Sequence, residues 1–281
     1  MSRTVYVNGA YLPEEEGKIS IFDRGFLFAD GVYELTAVVG GRLVDYDPHM
    51  ERLERSLSEL RLAWPCSKDE LRAMHLELVR RNELSEGIVY MQVTRGAADR
   101  DFKFPKEVRS TLIAFTQVSA IVDNPNARTG IKVVTVPDLR WKRRDIKTVM
   151  LLAPSLGKQE AYECGAQEAW MVEEGFVTEG TSSNAYIVKD GKVITRGLSN
   201  SILAGCTRRS LFRLAGERGI VIEERAFTPE EAYGADEAFL TSASQFVIPI
   251  VEIDGKRIGG GQPGPVVRRL RELFLAAAQS Q

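Results

Sequence analysis

Lys147 stands between a cationic run, Arg140-Trp141-Lys142-Arg143-Arg144, and an apolar one, residues 149–153, which reads as buried helix or strand. Such a setting predicts poor hydration, and both desolvation and neighbouring like charges favour the neutral form of a lysine amine. A neutral amine attacks a carbonyl carbon, and a Schiff base with an aldehyde is its usual use. The ordinary alternative is a lysine that snorkels to the surface. A second candidate, Glu179, lies in Thr178-Glu179-Gly180-Thr181-Ser182-Ser183-Asn184, where hydroxyls and an amide surround one carboxylate between two apolar stretches. A partly buried acid there needs a cationic partner. Two helix starts suggest anion binding. Arg52 sits one turn into one of them, and Gly205-Cys206-Thr207 offers bare amides, a hydroxyl and the positive end of a helix dipole. The same residues suit any N-cap, and most helix arginines are merely solvated. Arg95, Arg100 and Lys103 gather positive charge around one loop, which suggests a carboxylate or phosphate partner. Tyr33 offers a hydroxyl to a cleft, although a tyrosine in a strand more often packs.

These residues must be positioned by elements that the pattern predicts. Residues 4–7, Asn8-Gly9 and residues 10–12 read as a hairpin, because Asn-Gly supplies the positive φ of a type I′ turn. Val32 to Val39, Gly40-Gly41 and residues 42–46 read as another. Asp47 as N-cap and Pro48 at the first helical position open a helix whose stripe is Met50, Leu53, Leu57 and Leu60. Ser67 and Glu70 form a capping box for a second helix, in which His75 is structural. Residues 88–95 and 111–118 alternate as strands, and residues 119–130 break the pattern with turn formers. Beyond them come a strand at 131–137, a helix ending near Cys164, hairpins about Glu174-Gly175 and Asp190-Gly191, a helix at 208–218, further strands, and a closing helix at 266–278.

At 281 residues the chain suits two domains, expected at 1–120 and 131–281 with a linker at 121–130. A net charge of -2 gives no general attraction to nucleic acid or an anionic membrane. No apolar run approaches the roughly 20 residues that span a bilayer, and the start enters a strand without a signal-peptide core, so a cytoplasmic protein is expected. Cys66, Cys164 and Cys206 make neither a disulfide framework nor a zinc site. His49 and His75 leave little for metal catalysis or a Ser-His triad.

The candidates describe one ligand. Lys147 would hold an aldehyde, Glu179 a protonated ring nitrogen, and Arg52 with the Gly205 to Thr207 helix start a phosphate. Those are the anchors of pyridoxal 5'-phosphate, an electron sink while its pyridine nitrogen keeps a proton.

In chain order, Asp23-Arg24-Gly25, Asp30-Gly31-Val32-Tyr33-Glu34, His49-Met50-Glu51-Arg52-Leu53, Val93-Thr94-Arg95-Gly96, Asp145-Ile146-Lys147, Thr178-Glu179-Gly180 through Ser182-Ser183-Asn184, and Gly205-Cys206-Thr207-Arg208 carry a resemblance over nearly the whole chain. It is to the class IV, fold-type IV pyridoxal-phosphate aminotransferases, most closely the D-amino-acid aminotransferases. The resemblance implies an α/β (α+β) fold, a small N-terminal and a larger C-terminal domain with the cofactor in the cleft, and a homodimer. It makes Lys147 the Schiff-base lysine that also shuttles a proton, and Glu179 the partner of the pyridinium. Arg52, Thr207, the Cys206 amide and the loop near Ala243 would hold phosphate. Leu203 would pack on the ring, with Ser182 and Ser183 in support. Tyr33 would face the substrate, and Arg100 would bind its carboxylate from the second subunit. The substrates would be a D-amino acid and a 2-oxo acid. One departure stands out: D-amino-acid aminotransferases of the best-known type place a histidine two residues after that arginine, whereas this chain has Phe102. The same anchors would serve a branched-chain L-aminotransferase, an (R)-amine transaminase or aminodeoxychorismate lyase. A non-enzymatic alternative is an anion-binding module built on Arg140 to Arg144.

Overall fold

The structure is a computed structural model that describes residues 2–280; Met1 and Gln281, the outer ends of the expected domains, lie outside the described residues. The chain forms two compact units. The first runs to Ala120 and takes in Ile146–Met150; the second comprises Ile121–Asp145 and Leu151–Ser280.

In the first unit, β1 (Thr4–Val7) and β2 (Ala10–Pro13) close on Asn8 and Gly9, with φ of 49° and 103°. Then follow α1 (Arg24–Phe28), β3 (Gly31–Val39), β4 (Arg42–Val44), α2 (Tyr46–Glu59), α3 (Lys68–Arg81), β5 (Glu86–Thr94) and β6 (Thr111–Val118). The strands make an antiparallel sheet in the order β2-β1-β6-β5-β3-β4. Alternation along β3 buries Val32, Glu34, Thr36 and Val38 in one row, so a carboxylate stands in an otherwise inward-facing series. Helix α2 begins at Tyr46 with Asp45 as N-cap, not at Asp47 and Pro48 as expected. Pro48 is tolerated in the first turn because amides there lack intrahelical acceptors. Ser67 and Glu70 do form a capping box on α3. His75 is buried, bonds the Leu71 carbonyl at 2.8 Å, and is pushed down to about 4 by burial, as suits a neutral structural imidazole.

Residues 146–150 run alongside the start of β3. The Tyr33 amide donates to the Lys147 carbonyl at 3.0 Å, the Val149 amide donates to the Gly31 carbonyl at 3.1 Å, and Val32 bridges Thr148. Lys147, at the centre of a tight turn in which the Thr148 amide donates to the Ile146 carbonyl at 2.8 Å, is therefore tied by its backbone to the start of β3.

The second unit contains α4 (Pro125–Thr129), β7 (Ile131–Pro137), α5 (Leu152–Glu163), β8 (Glu168–Glu173), β9 (Phe176–Gly180), β10 (Asn184–Lys189), β11 (Lys192–Thr195), α6 (Cys206–Glu217), β12 (Ile222–Glu224), α7 (Pro229–Tyr233), β13 (Glu237–Ser242), β14 (Phe246–Ile253), β15 (Lys256–Arg257) and α8 (Pro265–Gln279). Its mixed sheet runs β12-β11-β10-β13-β14-β7-β8-β9, with β15 on β14. Trp170, Ile187, Phe227, Leu240 and Ile248 fill its main core.

The stretch at 121–130, expected as an interdomain linker, groups with the second unit; Ile121 is fully buried, and Asn124 caps α4 by accepting from the Asn126 amide. One expectation fails here: the apolar run at 149–153 is not a buried element, since Met150, Leu151 and Leu152 are exposed. Helix α5 buries Pro154, Gly157 and Ala161 instead. At helical spacing those small residues form the face that lets the helix approach the sheet, and Leu152 and Leu156 fall on the other side. Among the described residues no helix is long and apolar enough to cross a membrane.

Candidate active site

In the first unit the chemistry gathers around β3 and α2. Lys147 is half-buried, and its Nζ lies 4.2 Å from the centre of the Tyr33 ring, which stacks on Tyr90. A π face is an electrostatic partner for an ammonium group and leaves its donors available. The Lys147 amide reaches the Ser56 hydroxyl of α2 at 3.4 Å. On the same helix, Arg52 donates from Nε to Glu34 Oε1 at 2.8 Å and from Nη2 to Oε2 at 2.7 Å, while His49 Nδ1 lies 2.7 Å from Oε2. Burial alone would raise the Glu34 carboxyl; Arg52 and His49 overcome it and bring it down to about 2. Glu34 thus holds Arg52 in one orientation, the requirement for a guanidinium that meets an anion.

The expected loop cations divide. Arg95 is buried, donates to Asp30 from Nε and Nη2 and to the Leu60 and Arg61 carbonyls just past α2, so it is structural. Arg100 and Lys103 are exposed. The Arg100 guanidinium lies 5.4 Å from the Phe102 ring and 5.5 Å from that of Phe28. Phe102 therefore offers a π face where a histidine would offer a donor.

In the second unit Glu179, on β9, is the centre. Its carboxylate accepts from Arg140 Nη1 at 2.5 Å, from Asn184 Nδ2 at 2.9 Å, and from the Leu203 amide at 3.1 Å. Asp138 braces Arg140 from the other side, at 3.0 and 2.8 Å, and accepts from Thr178. Burial pushes the Glu179 carboxyl up, and the Arg140 charge and Leu203 amide offset only part of that. The arginines of the basic run are each paired with carboxylates: Arg140 serves Glu179 and Asp138, Arg143 pairs with Asp145, and Arg144 with Glu173. Those carboxylates neutralise the cations that the sequence places beside Lys147.

Helix α6 starts at Cys206, two residues before the expected start, with Gly205 as N-cap and no side-chain cap. A Cβ on Gly205 would stand 2.2 Å from Asn184 Oδ1, so the position excludes a capping side chain and leaves the first amides bare. Cys206 and Thr207 are buried there. Ala243 lies half-buried in the turn between β13 and β14. Ser182 and Ser183 turn their hydroxyls to Glu168, at 3.4 and 3.1 Å, and Lys158 completes that carboxylate at 2.7 Å. They brace the β9–β10 turn. A cavity of about 360 Å³ in this unit, lined by Val122, Ala127, Pro249, Val267, Arg271 and Leu275 among others, includes none of the expected site residues.

The sequence profile of the amino-transferase class IV family matches residues 31–253. The chain belongs to the class IV aminotransferases. It is therefore a pyridoxal 5'-phosphate-dependent aminotransferase. It is 39% identical over 280 residues to a D-alanine aminotransferase of Staphylococcus haemolyticus, covering 99% of this chain and 98% of that one. A D-alanine aminotransferase of Bacillus licheniformis is 38% identical over 95% of this chain and 94% of its own. A branched-chain aminotransferase of the thermophilic archaeon Thermoproteus uzoniensis, solved with norvaline, superposes with a TM-score of 0.90 at 26% identity, covering 100% of this chain and 96% of that one. The Escherichia coli branched-chain enzyme shares the fold at a TM-score of 0.91 and 24% identity, over 99% and 95% of the two chains.

The residues present fit the cofactor. A carboxylate offers about four lone-pair positions, and the three donors on Glu179 leave room for a further N–H. Its incompletely compensated burial favours a cationic donor. The sequence pattern shows Glu179, the Asn184 amide near it and Arg52, but neither Arg140 as the partner of Glu179 nor Glu34 and His49 as those of Arg52. The one local signal for Glu34 was a charge at an inward position of an apolar strand.

Proposed function

We propose that this aminotransferase moves an amino group between a D-amino acid of D-alanine type and a 2-oxo acid, as a cytoplasmic homodimer. The observation that carries the reading is the Glu179 carboxylate, buried and oriented by Arg140, Asn184 and the Leu203 amide. Identity of 39% to a D-alanine aminotransferase over nearly the whole chain supports the substrate class.

Pyridoxal 5'-phosphate, when bound, supplies a reactive aldehyde and an electron sink for the substrate carbanion. Lys147 Nζ would anchor the aldehyde carbon and, as a base, would take up and give back the proton at the substrate Cα. The Tyr33 ring orients that amine and faces the substrate. Glu179 would keep the pyridine nitrogen protonated, and Leu203, whose amide steadies Glu179, would pack on the ring. Arg52, the Cys206 amide, Thr207 and the turn at Ala243 bind phosphate at bare amides and a fixed guanidinium. Ser182 and Ser183 contribute indirectly by bracing the turn after Glu179. Arg100 binds the substrate carboxylate across the dimer. Exposed Phe26, Phe102 and Ile21 around its loop support burial of that surface against a second copy.

The branched-chain reading is second, favoured by the fold neighbours and by Phe102 in place of a histidine. Purified protein assayed with D-alanine, L-leucine, (R)-phenylethylamine and aminodeoxychorismate separates the readings. Turnover with D-alanine and a shift of the visible absorption band on its addition are expected; a response confined to L-leucine would overturn the D-specific assignment.

A further inference from the structure

Helix α8 grips the turn between β13 and β14 at two points about one helical turn apart. Arg271 is buried and donates from Nη1 to the Gln245 and Val247 carbonyls at 2.9 and 2.8 Å. From Nη2 it donates to the Ile121 and Val122 carbonyls, at the first residues of the second unit. Phe274 sets its ring against that of Phe246, with centroids 4.6 Å apart. The residue so clamped, Phe246, has φ of 61°. An aromatic residue in the left-handed region is an outlier, in the kind of hairpin position that glycine usually fills. Such backbone persists only where its surroundings over-determine it. Here those surroundings are a buried guanidinium on the two flanking carbonyls and a buried ring on its own ring. Phe246 pairs in register with Ser242 and so closes the turn that contains Ala243.

We propose that Arg271 and Phe274 are positioning residues for phosphate recognition: they hold Phe246 left-handed and thereby set the backbone of the 243–245 turn. The inference rests on the assignment of that turn to the phosphate. Neither side chain performs chemistry; both act through Phe246.

The test uses the full chain, stripped of cofactor and titrated by absorption with pyridoxal 5'-phosphate and, separately, with pyridoxal, which lacks the phosphate. Arg271→Met is expected to raise the Kd for the phosphorylated form about tenfold or more while changing that for pyridoxal by less than about twofold. Arg271→Lys, which keeps some donors, should recover part of the loss. Phe274→Leu, close in volume and milder for folding, should show the same selective effect at smaller size. Equal weakening of both ligands would mean general loosening of the unit and would overturn the brace, as would no change in either variant. Wild-type protein that binds pyridoxal as tightly as its phosphate would instead overturn the assignment of the turn, and the inference with it.

Discussion

Arg52 delivers both arms of its guanidinium to Glu34, a fully buried residue 18 positions earlier in the chain, and His49 completes the cluster. The electrostatics of this pair are open to titration. The Glu34 carboxyl falls from 4.5 to about 2, so the ionised form stabilises the folded chain above pH 4.5 and that stabilisation is lost as pH falls towards 2. The difference corresponds to about 3 kcal/mol. Urea melts of wild type and Glu34→Gln should differ most above pH 4.5 and converge towards pH 2. A gap that stays constant across that window would mean that Glu34 titrates elsewhere.

Lys147→Ala should lower kcat by at least roughly 10²–10⁴-fold, the range that a positioned proton-transfer group supplies. Borohydride treatment followed by mass spectrometry should find no cofactor-linked peptide in that variant. A link that survives would place the covalent anchor at another amine.

Arg140→Met removes the ion pair that offsets the burial of Glu179. The carboxyl, already above its usual range, should climb further, and the acidic limb of kcat against pH should move to higher pH. Activity near neutrality should drop by about tenfold or more, as for a lost charge-assisted hydrogen bond of roughly 1.5–3 kcal/mol. An unmoved limb would show that the protonation of Glu179 does not govern turnover.

Arg100→Ala should raise KM for D-alanine about tenfold with a smaller effect on kcat, the signature of lost substrate binding. Because Phe102 gives Arg100 a π face only, Phe102→His should lower KM by adding a donor. Steady-state kinetics decide both, and an unchanged KM in Arg100→Ala would remove that residue from the substrate site.

Much of the local structure was legible because its causes are local. Asn8-Gly9 supports positive φ at two successive residues, Ser67 and Glu70 cap reciprocally within one turn, and alternation along residues 111–118 makes β6. The chemical identity of Lys147, Glu179 and Arg52, and the order of the motifs around them, also belong to the sequence. Their partners do not. Glu179 meets Arg140 across 39 positions and Arg52 meets Glu34 across 18, distances that only strand register and helix placement close. The basic run before Lys147 reads as concentrated positive charge until its flanking Asp138 and Asp145, and Glu173 and Glu179 brought to it by folding, pair with its arginines. The leucines at 151 and 152 read as core until α5 turns its small residues to the sheet. Phe246 carries no mark of a left-handed backbone, since that conformation is imposed by Arg271 and Phe274 from another element. Residue type and short spacing determined which groups can react; long-range packing decided which charges are paired, which apolar side chains are buried and how each reactive group is held, because those depend on neighbours that the chain brings together only when folded.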